Sequence, residues 1–326
     1  MIKLVLANGK GSTNITELVT NINWSGEYTQ AARTLDFNML VSPYDKNLPK
    51  VNIDLGDMII FYVDNKEVFR GYIFTKEKSY SGNISSFTAY DIAIYTLKNE
   101  GSYNFKNVTA EAATRRVFNE FGIPIGSIEA TNISINKKFI SVNLYNIIMS
   151  CYTIASQNNG IKYMIQAKQG NLNVVRKGDI VLSISFENGR NLLDTTYSES
   201  VEKMVNNVMI VNKDGEKIKD ITDKDLLDKY GSFQRVITQA DDKDETKKAQ
   251  DMLNGVDSKI RISGLGDITC ITGMGVKVYD SYTGIKGLFY IDSDKHTWSN
   301  GEYTVDLVLN FKNLMDESER GDDNDE

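Results

Sequence analysis

Hydrophobic and polar positions alternate in short runs through the first hundred residues. MIKLVLAN, ITELVTNINWSG and TLDFNMLV each hold a few alternating or β-branched positions, separated by Gly, Asn, Ser and Pro43. DMIIFYV and VFRGYIFTKEK flank a polar turn from Asp64 to Glu67, which predicts a hairpin, and SFTAYDIAIYTL closes the series. Many short strands without intervening helices predict a small barrel or sandwich over residues 1–100.

The pattern then lengthens to a helical period. Thr109 suits the N-cap of TAEAATRRVFNEFG, which places Val117, Phe118 and Phe121 on one face and stops at Gly122. Ser141 is expected to open a second helix carrying Leu144, Ile147, Ile148, Cys151, Ile154 and Ala155, with Gly160 just beyond it. KYMIQAK and LNVVRK, joined through Gln169-Gly170, predict a hairpin, so residues 101–185 read as an α+β insertion. Residues 186–314 return to strands. A hairpin is expected around Asp214-Gly215, a short helix in DKDLLDKYG, and a polar helix in ADDKDETKKAQDMLNG, whose acids precede its lysines as the helix dipole favours. KIRISGL, GVKVYD, GLFYIDSDKH and EYTVDLVLNFKN complete the series as strands.

Two parts of this pattern echo each other. GDMIIFYVDNKEVFRGYIFTKEK from Gly56 and GVKVYDSYTGIKGLFYIDSDKH from Gly275 each begin with Gly before a strand and a polar turn. In each, an aromatic residue (Phe69, Phe289) lies near a Gly (Gly71, Gly287), and a Tyr-Ile pair (Tyr72-Ile73, Tyr290-Ile291) leads to Lys76 or Lys295. Gly82 before FTAYDIAIY then parallels Gly301 before YTVDLVLNF, so the chain is expected to carry two related β-units flanking the insertion.

Charge changes the picture at one end only. The chain has 37 Lys+Arg against 44 Asp+Glu, a net of −7, but MDESERGDDNDE from Met315 holds seven acids and one base. The first 314 residues are therefore almost neutral, which argues against direct nucleic-acid binding and against stable attachment to an anionic membrane surface. Residues 315–326 lack apolar periodicity and read as a disordered acidic tail, the other reading being an acidic arm for a basic neighbour. No apolar run reaches the length of a membrane span.

Candidate chemistry is sparse. His296 is the one histidine, so a two-His metal site cannot form within one chain. Asp292 and Asp294 are placed to orient it, yet no nucleophile elbow accompanies them, and a structural role is expected. GKGST at Gly9 has the wrong order for a phosphate loop, and GLGDITCITGMG at Gly264 lacks the third glycine and the helix of a dinucleotide fingerprint. DDKDE at Asp241 lacks the Gly and the terminal Glu of a calcium loop. Cys151 and Cys270 lie in apolar runs and read as buried thiols. The aromatics alternate within strands, as a β-core requires. No catalytic, cofactor-binding or metal-binding residue is assigned, no cofactor is expected, and the chain reads as a non-enzyme.

One ordered set of segments goes further. NWSGEYTQAARTLDF from Asn23, the LGD turn at Leu55, VFRGYIF from Val68, YTLKNEGSYNFKNVTAEAA from Tyr95, MVNNVMIV from Met204, KYGSFQRVI from Lys229 and FYIDSDKHTWSNGEYTVDL from Phe289 together resemble the XkdQ-like hub proteins of contractile phage tails and tail-like bacteriocins. That family is similar to the late-control-gene-D and VgrG hub proteins, and the resemblance spans about residues 1–312. It implies two similar small β-barrel domains, residues 1–100 and 186–314, flanking the mixed α/β region and assembling as a ring-shaped homotrimer. It also implies a structural baseplate hub that adapts a six-fold tail tube to a three-fold membrane-piercing spike. Its expected partners are tail tube ring proteins, the spike, neighbouring baseplate proteins and the tape measure protein. It would be made in the bacterial cytoplasm and reside in the tail of a virion or tail-like particle. Two other readings remain at this stage. A tail-associated cell-wall hydrolase would need a constellation of carboxylates or of Cys and His in a cleft, and a peripheral carbohydrate- or receptor-binding module would need exposed aromatic platforms.

Overall fold

The computed structural model describes residues 1–42, 44–79, 83–239 and 245–323. Pro43, Gly82 of the internal echo and Asp241 to Asp244 of the acidic run lie outside the described residues. The chain forms two compact units, one of Met1–Thr195 with Arg261–Glu326 and one of Thr196–Ile260. No described helix is long and apolar enough to cross a membrane.

In the larger unit the N-terminal segment is a run of antiparallel strands. β1 (Ile2–Asn8) and β2 (Gly11–Asn14) pair, β3 (Val19–Glu27) pairs with β4 (Thr34–Leu40), and β5 (Met58–Val63), β6 (Lys66–Ser79) and β7 (Ile84–Asp91) form a meander. The β5–β6 turn is Asp64-Asn65, both at positive φ (47° and 62°), which suits the right-handed twist of a two-residue hairpin. Alternate residues Ile59, Phe61 and Val63 point inward and pack with Phe37, Ile73 and Phe87.

The insertion comprises α1 (Ile94–Lys98), β8 (Glu100–Thr109), α2 (Ala110–Glu120), β9 (Ile125–Ile128), β10 (Ser134–Asn143), α3 (Leu144–Asn159), β11 (Tyr163–Lys168) and β12 (Asn171–Arg176). The Thr109 side chain caps α2 by accepting from Ala112 N, as its sequence predicts, and Gly160 ends α3 in the left-handed conformation. α3 opens differently from expectation. Ser141 remains in β10 at φ 50°, and Asn143 is the cap, accepting from Asn146 N. Val117, Phe118, Phe139, Ile147, Ile148 and Cys151 meet in the insertion's core.

Beyond the insertion come β13 (Val181–Glu187) and β14 (Leu192–Ser200). The smaller unit holds β15 (Asn207–Val211), β16 (Lys217–Thr222), α4 (Lys224–Tyr230), β17 (Gln234–Thr238) and α5 (Thr246–Asp251). β15 pairs antiparallel with β16 and parallel with β17, and Val208 and Ile210 pack on Ala249. The chain then returns through β18 (Asp257–Leu265), β19 (Gly275–Tyr279), β20 (Lys286–Ser299) and β21 (Glu302–Asn310), and the last described element is β22 (Asp322–Asp323).

The internal echo is visible in the strand order. A 13-stranded sheet contains the sequence β3-β4-β7-β6-β5 and, beside it, β14-β18-β21-β20-β19. Matched in chain order, β3 to β7 correspond to β14 and β18 to β21; beyond them the copies differ, since β1 pairs antiparallel with β5 whereas β13 pairs parallel with β19. The central strand of each repeat, β6 or β20, is 14 residues long. Each is bulged directly after the Tyr-Ile pair, between Ile73 and Thr75 in one and between Ile291 and Ser293 in the other. A bulge adds one residue and bends the strand, so its recurrence at the matching place marks two copies of one motif. The glycines near it differ: a Cβ on Gly71 would lie 2.3 Å from the Tyr90 carbonyl oxygen, whereas Gly287 needs its φ of 142°.

The repeats do not close into two separate barrels. Among the described strands the sheet is an open path from β14 to β2, and the edge of β20 near its C-terminus pairs with β3 over Ser293–Ser299. That edge therefore joins the repeats, and they share one sheet.

The acidic end is placed as far as residue 323. Met315 is buried in the insertion's core, Asp316 accepts from the Tyr145 hydroxyl (2.6 Å), and Ser318 bonds both Ser150 and Thr153 of α3. Glu317 pairs with Lys162 at 3.0 Å, and β22 adds antiparallel to β10 at Lys137 and Lys138. The expectation of disorder read the composition correctly but did not see the receptor. Met315 supplies an apolar anchor, and Lys162 supplies a charge opposite Glu317.

Candidate functional site

The polar groups highlighted by the sequence converge on the seam between the repeats. Backbone register sets Trp24 opposite His296 and Gly26 opposite Asp294 across β3 and β20. Arg33 lies just before β4, and its guanidinium binds Asp294 through both terminal nitrogens, one at 2.9 Å, while stacking on the Trp24 ring at 4.0 Å. Asp294 also accepts from Thr272 N (2.6 Å) and Thr272 Oγ1 (2.7 Å). Burial alone would raise this carboxyl; Arg33 and the donors around it hold it far below the usual carboxylate range.

His296 is fully buried in mid-strand. Its Nε2 lies 3.1 Å from the Cys270 carbonyl and 3.4 Å from Asp294 Oδ2, and its Nδ1 lies 2.8 Å from the Tyr303 hydroxyl. An Nε2–H tautomer satisfies every contact: that nitrogen donates to the carbonyl and Nδ1 accepts the tyrosine proton. Trp298 stacks on Tyr303 at 4.3 Å and meets Phe61 edge-on at 4.9 Å, which carries the aromatic stack into the first repeat's core. The imidazole thus faces protein on both nitrogens, an arrangement suited to fixing strand register.

Asp292 does not join the histidine, because the bulge after Ile291 turns it away. It meets Lys177 instead, whose side chain is fully buried and whose Nζ lies 3.1 Å from Asp292 Oδ1 and 4.9 Å from the Tyr28 ring centre. Asn313 donates to the Lys177 carbonyl at 2.6 Å. Burial pushes the Asp292 carboxyl up and the Lys177 ammonium down, each against the pull of the other. Lys177 follows β12 and Asp292 lies in β20, so the pair ties the insertion to the second repeat.

A third buried carboxyl, Asp91 at the end of β7, accepts from Arg33 N (3.0 Å) and Ala93 N (2.9 Å). Burial outweighs these bonds and the Arg33 charge, and raises it to about 7. A carboxyl raised on folding favours the folded state below its unfolded pKa, and that benefit is lost as pH climbs through the folded value. Wild-type stability should therefore lose a contribution of up to about 4 kcal/mol between about pH 4 and pH 7. Denaturant melts of Asp91→Asn should lack that slope; parallel pH profiles for the two proteins would refute it.

Sequence reading singled out His296, Asp292 and Asp294 but missed Arg33, Lys177 and Asp91. Arg33 stands in the TQAARTLDF segment with no periodic mark, and Lys177 looks like any lysine at a strand end. Cys151 and Cys270 are buried free thiols, both pushed up to about 12 by burial. GKGST spans the β1–β2 turn and the start of β2, and GLGDITCITGMG joins β18 to β19. Among the described residues no group of three His, Cys, Asp or Glu side chains is placed to hold a metal ion. Open clefts in the larger unit include one of about 640 Å³ beside Met1, Trp298 and Glu302, one of about 670 Å³ beneath the loop after β4, and one of about 700 Å³ beside Glu187 and Tyr279.

Fold and site together define an internally duplicated, mainly antiparallel β protein carrying an α+β insertion, its buried charges spent on joining those parts. The chain belongs to the YQBQ-like family, whose model matches residues 22–310. It is 26% identical over 317 residues to the phage-like element PBSX protein XkdQ of Bacillus subtilis strain 168, covering 94% of this chain and 96% of that one. Its fold is similar to that of the 43 kDa tail protein of prophage MuSo2 from Shewanella oneidensis, with a TM-score of 0.73, 14% identity, and 95% and 97% of the two chains covered. A chain of the Francisella PdpA–VgrG complex is also similar, with a TM-score of 0.60, 12% identity, and 99% of this chain and 54% of that one covered.

Proposed function

We propose that the chain is a non-enzymatic structural component of a phage tail or tail-like particle, and within it the baseplate hub. The observation that carries this is the duplicated strand order, found in a chain related over nearly its whole length to a protein of a phage-like element. A homotrimer of a duplicated chain presents six near-equivalent surfaces toward a six-fold tail tube and three equivalent ones toward a three-fold spike. In that reading residues 1–100 and 186–314 supply the repeated surfaces and residues 101–185 the material between them. The partners are tail tube ring proteins, the spike, neighbouring baseplate proteins and the tape measure protein.

Mass measurement of the purified chain followed by electron microscopy tests this. The expected result is a trimer forming a ring with a central channel, together with recovery of the chain from purified particles. A chain that stays monomeric and is absent from such particles would overturn the proposal.

A further inference from the structure

The C-terminal residues occupy an edge strand in an unusual way. β10 pairs with β8 along one side for nearly its whole length. Among the described residues its other side is paired at Lys137 and Lys138 alone, by the two residues of β22. An edge strand with free donors and acceptors is a template for another strand.

We propose that this outer edge of β10 is a docking site for an extended acidic segment of a partner protein, closed in the isolated chain by its own acidic end. The chemistry of the partner is read from the cis occupant. Asp322 stands in register with the exposed Lys138, so the edge sets a lysine beside a carboxylate residue of the strand that covers it. Gly321 precedes them at φ 88°, and a Cβ there would lie 2.7 Å from the Phe139 ring and 2.8 Å from the Lys138 carbonyl oxygen. The docked segment is therefore acidic and extended, with glycine at the point where it passes Phe139.

The cis occupant is held by polar contacts beyond a single apolar anchor. Beyond Met315 the segment Asp316–Asp323 contains no apolar side chain. Its attachments are polar: Asp316 to Tyr145, Ser318 to Ser150 and Thr153, and the partly exposed ion pair of Glu317 with Lys162. The ion pair is screened by salt, and the tether keeps the cis segment at high local concentration. This inference does not depend on the hub reading.

The test uses a labelled peptide of residues 316–326 and fluorescence anisotropy at low and high salt. The receptors are the full chain, a chain ending at Met315, which keeps the apolar anchor, and full-length Gly321→Val. The shortened chain and the valine variant should each bind at least tenfold more tightly than the full chain. Binding should weaken with salt, with Lys138→Glu, and with a peptide whose acids are replaced by lysines. Equal binding to all three receptors, or no binding to a folded shortened chain, would overturn the proposal. If the shortened chain fails to fold, full-length Gly321→Val decides.

Discussion

Asp294→Ala is expected to destabilise the chain by about 3–5 kcal/mol, the cost of leaving a buried charge without its partner. Four donors converge on this carboxylate, two from Arg33 and two from Thr272. Arg33 is 13% exposed and has no other carboxylate within ion-pair distance among the described residues, so water replaces little of what is lost. Arg33→Met alone should be comparably harmful, because it strands Asp294 at 0% side-chain exposure. Arg33→Met with Asp294→Leu should cost much less than the sum of the single changes. The readout is already present, since both tryptophans border the seam: Trp24 lies under the Arg33 guanidinium and Trp298 continues the stack. Urea melts followed by tryptophan emission would measure all three. Because this carboxyl is depressed, its contribution is complete above about pH 4 and is lost only as acid protonates it. Additive single and double effects would show that the groups act independently.

Lys177→Met should give a loss of similar size, again about 3–5 kcal/mol, but with its pH dependence displaced to higher pH. It leaves Asp292, whose carboxyl burial already raises, without its cation. A carboxyl raised on folding favours the folded state in acid and loses that contribution as pH rises through its folded value. The defect should therefore be largest at pH 8 and shrink toward pH 5. Adding Asp292→Leu should restore most of the stability at pH 8, since a packed apolar pair can replace a buried ion pair. A defect independent of pH would mean that Lys177 acts through packing of its stem and not through its charge.

Local chemistry made much of this fold legible in the sequence. Thr109 and Gly160 marked helix ends because a side-chain oxygen and a glycine satisfy orphan backbone groups wherever they stand. The hairpins at Asp64-Asn65 and Gln169-Gly170 were visible because those turns require positive φ. The echo exposed the duplication because two copies of a bulged strand retain the Tyr-Ile pair that precedes the bulge. What stayed hidden depends on distant pairing. Nothing local to Arg33 announces a partner 261 residues away, and nothing local to Asp292 reveals that a bulge turns it from His296 toward Lys177. Joining the repeats into one sheet is likewise a choice of strand edge, to which periodicity is blind. The acidic end failed for a related reason: its composition describes the free segment, whereas its placement depends on β10 and α3.

The β3–β20 seam sets an order of events during synthesis. β3 is complete when residue 27 has been made, but its partner along this edge spans residues 293–299. At roughly 5–20 residues per second, the interval lasts about 13–55 s. Throughout it the first repeat carries an open edge, with Trp24 and Arg33 lacking their partners from β20. A neighbouring nascent chain that has already emitted its own β20 can fill that edge, giving an exchanged pair with the same contacts. The edge of the first repeat is thus covered only after almost the whole chain has been made.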